Sequence, residues 1–283
     1  MNSIKQIEVL LADRLVGRLA LTKEGLCAFE YAPDWLGSGF SISPFELPLR
    51  SGVFIAKPRP FEGGFGVFDD CLPDGWGLLI LDRYLQQKGV NPRELSLLDR
   101  LALVGSSGRG ALEFRPDHSV VTRQDYADFE KLALEAERIL DSDEYKGEGI
   151  EEFQDRGGSP GGARPKIFAR YEGKEWLVKF RAKRDPQSIG VDEFRYSLLA
   201  KECGIEMPDT RLFEGKYFGV ERFDRTPQGK LHVVSVAGLI GADYRLPSID
   251  YKHIFVVTAY AFFAFNSNAY AVADIIITAC EFV

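Results

Sequence analysis

Four cysteines in 283 residues, Cys27, Cys71, Cys203 and Cys280, form no C-x-x-C pair and follow no secretory signal, so neither a zinc frame nor a disulfide frame is suggested. A reduced, cytoplasmic setting is the expectation. Basic residues are in the minority as well: 35 Lys and Arg against 42 Asp and Glu give a net charge of -7, which argues against wrapping DNA or RNA by bulk electrostatics. There is no internal repeat and no low-complexity segment. Long apolar runs are scarce. The one candidate, from Tyr251 onward, is split by Asn266, Ser267 and Asn268 and then by Asp274, whereas a span needs about 20 apolar residues. A core helix is therefore favoured there, and no membrane association is expected.

What remains is an ordinary globular composition, 45% hydrophobic and 27% charged, in a chain long enough for two domains. Apolar alternation from Ile4 to Leu21 predicts two strands around Ala12-Asp13-Arg14, with further short strands to Phe54. Helices are predicted over Gly77–Gln87 and Leu95–Val104, followed by a strand at Gly108–Phe114. Tyr126, Phe129, Leu132, Ala136 and Ile139 make an amphipathic helix of Gln124–Leu140, expected to lie over the first domain. Asp141–Asp155, rich in acids, reads as a solvated linker and the domain boundary. Beyond it come a hairpin of Ile167–Tyr171 and Glu175–Phe180 turning at Glu172-Gly173-Lys174, a helix over Val191–Cys203, a strand starting at Pro208 and one over Tyr217–Phe223, and helices over Ser235–Ile240 and Tyr251–Phe265. The expected division is residues 1–140, a linker at 141–155, a second domain at 156–253 and an atypical apolar tail at 254–283.

The run Gly157-Gly158-Ser159-Pro160-Gly161-Gly162-Ala163-Arg164-Pro165-Lys166 can bring backbone N–H groups close to an anion, although the same composition also marks a flexible linker end. It lacks the G-x-x-x-x-G-K-[ST] order, which excludes a Walker-type P-loop. Arg164, Lys166, Arg170, Lys174, Lys179, Arg181, Lys183 and Arg184 make this the one strongly basic segment of an acidic chain, and phosphate is a natural partner. Most of these charges could equally belong to a solvated hairpin. Lys179 differs, because Trp176-Leu177-Val178-Lys179-Phe180 embeds it in an apolar strand, where an ammonium needs an anionic partner. Glu193, early in the next helix, is placed to be that partner, as in the strand-lysine to helix-glutamate pair of kinases. It could equally be an ordinary favourable charge in a first turn. Val220-Glu221-Arg222-Phe223-Asp224 reads either as a hinge whose main chain bonds an adenine edge or as an edge strand with exposed charges.

These segments together resemble the HipA family of serine/threonine kinases, toxins of bacterial type II toxin-antitoxin pairs. The likeness runs from about Val16 to about His253. It is carried by Cys71-Leu72-Pro73-Asp74-Gly75-Trp76, within a D-x-L-P-D-G-like motif, and by Gly108-Arg109-Gly110-Ala111-Leu112. In the second half it is carried by Ser159–Lys166, similar to S-x-x-G-A-x-x-K, and by V-E-R-F-D-R from Val220. The resemblance implies an α+β fold, with a β-rich N-terminal subdomain followed by the N-lobe of a protein-kinase-like domain. It implies ATP with Mg²⁺ as cofactors, Ser159 as the autophosphorylated serine, and Gly161, Gly162 and Ala163 at the phosphates. Lys179 would be the ATP-phosphate lysine, and Glu221 and Phe223 the adenine contacts. It further implies a HipB-like helix-turn-helix antitoxin as partner, with DNA reached only through that partner, and a translation protein such as an aminoacyl-tRNA synthetase as substrate.

The sequence departs from the family after the hinge. Members continue into a segment like N-x-x-D-D-H-x-x-N and then a magnesium-binding aspartate, whereas Asn266-Ser267-Asn268-Ala269-Tyr270 has no such acid or histidine and Asp274 has no asparagine after it. A C-lobe largely missing through truncation or frame shift, with catalysis lost, is the expectation. Catalytic residues and a metal site are therefore left unassigned, with Asp243, Asp250 and Asp274 the acids to mutate should activity be found. The alternative is a non-catalytic module that binds the antitoxin.

Overall fold

The computed structural model of the chain describes residues 4–119, 128–142, 149–157, 162–246 and 249–265. The chain opens with the expected hairpin: β1 (Gln6–Leu11) and β2 (Arg14–Leu21) pair antiparallel across Ala12 and Asp13, whose φ angles of 49° and 60° suit a tight two-residue turn. Then come β3 (Cys27–Tyr31), α1 (Pro33–Ser38), β4 (Val53–Ile55), α2 (Gly66–Asp69), α3 (Gly75–Gln87), α4 (Leu97–Val104) and β5 (Leu112–Arg115). The helices α5 (Phe129–Asp141) and α6 (Gly149–Gly157) precede a second hairpin of β6 (Lys166–Tyr171) and β7 (Lys174–Lys179). The remaining elements are α7 (Ile189–Glu202), β8 (Thr210–Phe213), β9 (Tyr217–Glu221), the two-residue strands β10 (Arg225–Thr226) and β11 (Gly229–Lys230), α8 (Val236–Ile240) and α9 (Tyr251–Phe265). The fold class is mixed α+β with antiparallel sheets.

The chain divides into two compact units, each assembled from separate segments. The first takes residues 1–72, 95–119 and the chain from Thr226 on, and the second takes 73–94 and 120–225. This corrects the expected boundary at residue 140. Helix α3 belongs to the second unit, and the described residues from Thr226 on belong to the first.

In the first unit, the sheet order β4-β3-β2-β1-β5 places Ile7, Val9, Val16, Leu19 and Phe29 in a core closed by Trp35, Phe68, Leu98 and Leu101. A capping box starts α4: Ser96 Oγ accepts from the Asp99 amide while the Asp99 carboxylate accepts from the Ser96 amide, an arrangement worth about 1 kcal/mol. The late segment joins this unit through specific bonds. Lys230 Nζ donates to Glu113 at 2.6 Å and to the Ser106 carbonyl at 2.7 Å, and Asp70 accepts both the amide and the hydroxyl of Ser235. Gly66 and Gly238 let α2 and α8 meet backbone to backbone, since a Cβ on Gly66 would lie 2.2 Å from the Gly238 carbonyl oxygen. Helix α9 forms over its expected residues, but Tyr251, Phe255 and Val256 are exposed rather than in a core. Among the described residues, no helix is long and apolar enough to cross a membrane.

His232 makes this unit sensitive to acid. Burial holds its imidazole below the usual 6.5, and Nε2 donates to the Ile42 carbonyl at 2.8 Å. The unfolded chain takes up that proton near its ordinary pKa while the folded chain resists it, so stability is expected to fall as pH drops below about 6.5. The thermal midpoint should fall less between pH 7.5 and 5.5 in His232→Gln than in the parent. Equal falls in both would assign the acid sensitivity to other groups.

The second unit is a four-stranded antiparallel sheet, β6-β7-β9-β8, with different partners on its two faces. Period-two alternation sends Ile167, Ala169, Trp176, Val178, Phe213 and Tyr217 to one face. There they form a core with Trp76 and Ile80 of α3, Leu132, Ala136 and Ile139 of α5, and Ile150 and Phe153 of α6. Two expectations are corrected here. Helix α5 packs in this unit rather than over the first domain. The linker read into 141–155 contains most of α6, whose Ile150 and Phe153, three positions apart, share one buried helical face.

Candidate functional site

The opposite face of this sheet carries Lys166 and Phe168 of β6, Leu177 and Lys179 of β7, Phe218 and Val220 of β9 and Thr210 of β8, as the strand register requires. Helix α7 lies over part of it. Ser197 donates to the Thr210 hydroxyl at 2.9 Å, and Gly190 lets the start of the helix approach so closely that a Cβ there would lie 2.1 Å from the Lys216 carbonyl oxygen. That seating brings Glu193 to Lys179, with Oε1 to Nζ 3.3 Å. Both side chains are about one-fifth exposed, and the ammonium also sits 5.5 Å from the Phe218 ring centroid. Phe168, Leu177 and Val220 are only half-buried. The face thus combines an apolar floor with a cation fixed by a carboxylate.

Of the glycine-rich run, Ser159 and Gly161 lie outside the described residues, while Gly162 and Ala163 lie within them. The Gly162 amide donates to the Asp74 carboxylate, and its carbonyl accepts from the Trp76 amide at 3.0 Å. Arg164 is pinned by two bonds to Asp185, at 2.9 and 3.1 Å, and this guanidinium holds the Asp185 carboxyl below its usual range. The basic segment as a whole is largely neutralised by acids. Lys174 pairs with Glu221 and Asp209, Arg181 with Glu137 and Lys183 with Asp141.

At the end of β9, the Glu221 carboxylate is taken by Lys174 at 2.6 Å and its amide by the Asp209 carbonyl at 2.8 Å. The Phe223 amide makes no hydrogen bond among the described residues. Arg222 and Asp224 are buried and β9 lies between β7 and β8, which excludes the edge strand with exposed charges. Arg222 grips Asp224 with two bonds at 2.9 and 2.8 Å and stacks 3.9 Å from the Phe168 ring centroid. Arg225 reaches the same carboxylate at 2.9 Å, and Glu175 faces Arg222 at 3.3 Å. Asp74, Glu175, Asp224 and Arg225 were not singled out from sequence as site residues. A charged sequence flanked by apolar strand residues was the only hint of this knot.

Residues 7–115 match the family of the HipA N-terminal domain and residues 158–276 that of the HipA-like C-terminal domain. The chain is 25% identical to the Y4dM protein of Sinorhizobium fredii, over 90% of this chain and 64% of that protein. It is 26% identical to the serine/threonine-protein kinase toxin HipA of Shewanella oneidensis, over 77% of this chain and 50% of that one. It therefore spans between half and two thirds of the length of these relatives. The two matched segments stand in this order and together cover most of the chain, which belongs to the HipA family.

Proposed function

We propose that the second unit is the nucleotide-binding lobe of a HipA-type serine/threonine kinase toxin, and that ATP lies on the sheet face bearing Lys179. The observation that carries this is the Lys179–Glu193 pair at 3.3 Å beside the half-buried Phe168, Leu177 and Val220. A purine needs an apolar bed and its phosphates a fixed cation. Lys179 serves the phosphates, held by Glu193. The Glu221 carbonyl and the Phe223 amide serve the adenine edge, because the Glu221 side chain is committed to Lys174 and its amide to Asp209. Mg²⁺ enters with the nucleotide and would neutralise charge between the phosphates. Among the described residues, no group of three or more His, Cys, Asp or Glu is disposed to hold a metal, so no protein ligand is assigned to it. The partner is proposed to be a HipB-like helix-turn-helix antitoxin and the substrate a translation protein, by analogy with the family.

Calorimetry with ATP and Mg²⁺ tests the reading. The intact chain should bind, and Lys179→Ala should weaken binding about tenfold or more, the scale of one lost charge-assisted contact. Equal affinity in the variant would remove Lys179 from the site. Phosphoryl transfer is a separate question, since Asp243 accepts from the Arg245 amide and Asp250 pairs with His253, while Asp274 lies outside the described residues. No phosphate is expected on Ser159 by mass spectrometry after incubation with ATP. Stoichiometric phosphoserine, lost in Lys179→Ala, would instead point to an aspartate beyond the hinge as base.

A further inference from the structure

Asp74 stands at the N-cap of α3, where an aspartate ordinarily accepts amides of its own first turn. It makes no such bond. Its carboxylate is turned to the amide of Gly162, 88 positions later, and the next two residues complete the contact. Gly75 holds φ at 45° with its α-carbon so near the facing segment that a Cβ would lie 2.5 Å from the Gly162 carbonyl oxygen and 2.9 Å from the Ala163 α-carbon. Trp76 donates its amide to that carbonyl at 3.0 Å, and its ring is buried edge-on against Phe153 at 5.1 Å. Both hydrogen-bonding groups of the Gly162 backbone are therefore held by one three-residue segment anchored in the core. A residue that forgoes its helix cap for a distant backbone amide is placed for that distant contact.

We infer that Asp74-Gly75-Trp76 is a clamp that sets the position of Gly162 and Ala163 beside the nucleotide phosphates, with Asp74 a positioning residue rather than a ligand. This rests on the nucleotide reading above. The carboxylate holds the Gly162 amide, which leaves the Ala163 amide, unengaged among the described residues, as the donor for an anion. The clamp acts on the phosphate end and leaves the adenine end alone. It also explains why Pro73-Asp74-Gly75-Trp76, early in the chain, belong to the second unit.

The test compares ATP with adenosine on the intact chain by calorimetry, for the parent, Asp74→Ala and Asp74→Asn, with hydrogen exchange of the peptide containing Gly162 measured alongside. Asp74→Ala should lose ATP affinity by about tenfold with adenosine affinity unchanged. Asp74→Asn, whose amide oxygen can still accept from Gly162, should stay within about threefold of the parent. Exchange at Gly162 should quicken in the alanine variant and much less in the asparagine one. Parent-like ATP affinity in Asp74→Ala, or equal loss of ATP and adenosine, would overturn the clamp. If the parent binds neither ligand, the nucleotide reading fails by itself, and unchanged exchange at Gly162 in Asp74→Ala would then overturn the clamp independently.

Discussion

Asp224→Ala is expected to destabilise the second unit by about 3–5 kcal/mol, the cost of leaving a buried charge without its partner. The side chains of Arg222 and Asp224 are each 5% exposed, and Asp224 accepts from Arg222 at both carboxylate oxygens and from Arg225 at one of them, Oδ2. With the carboxylate gone, the two guanidiniums lose their shared acceptor while Glu175 still faces both. Arg222 is held against Phe168 and only 5% exposed, so hydration of its charge requires the stack to open. Asp224→Asn keeps an acceptor but not the charge, and should fall between alanine and the parent. Hydrogen exchange of the β7 and β9 amides gives the measurement, because those strands bond through Arg222 N–H to the Glu175 carbonyl. A loss below about 1 kcal/mol, the range of solvent-exposed pairs, would show that the charges are solvated.

Gly190→Val should rank second and act on the proposed nucleotide site from a distance. The ideal Cβ alone lies 2.1 Å from the Lys216 carbonyl oxygen, a backbone atom that no rotamer can move aside. Overpacking of this kind costs about 1–3 kcal/mol and sometimes more, and here the strain can be relieved only by moving the start of α7 away from the sheet. Glu193 is one turn further along that helix. The expected result is a lower thermal midpoint together with ATP affinity reduced about as far as in Glu193→Gln. A fall in stability with undiminished ATP affinity would show that the pair tolerates movement of the helix.

Some of this was legible in the sequence for definite reasons. The hairpin around Glu172 and Gly173, with φ of 51° and 79°, announces itself by alternation and turn chemistry, both local signals. The Lys179–Glu193 contact could be inferred because an ammonium within an apolar strand demands an anion nearby. Helix α6 was hidden: seven of its nine residues are polar or glycine, and only Ile150 and Phe153 reveal that it has an inside. The period of α5 showed that it has a buried face without showing which unit that face meets. The Asp74–Gly162 contact joins residues 88 apart, and no local pattern encodes it. The knot at Arg222 was visible only as charge, since a sequence does not say whether a charged run faces water or another charge.

The interleaving of segments bears on how the chain is made. A ribosome adding about 5–20 residues per second delivers β5 well before Ser235 and Gly238, with most of the second unit between them. During those seconds the α2 surface that Gly238 will cover has no neighbour from the late segment. The second unit, whose last segment ends at Arg225, can be complete on the nascent chain before the first is. The second unit thus matures first, and the first unit stays the more exposed to chaperones and proteases until α8 and α9 emerge.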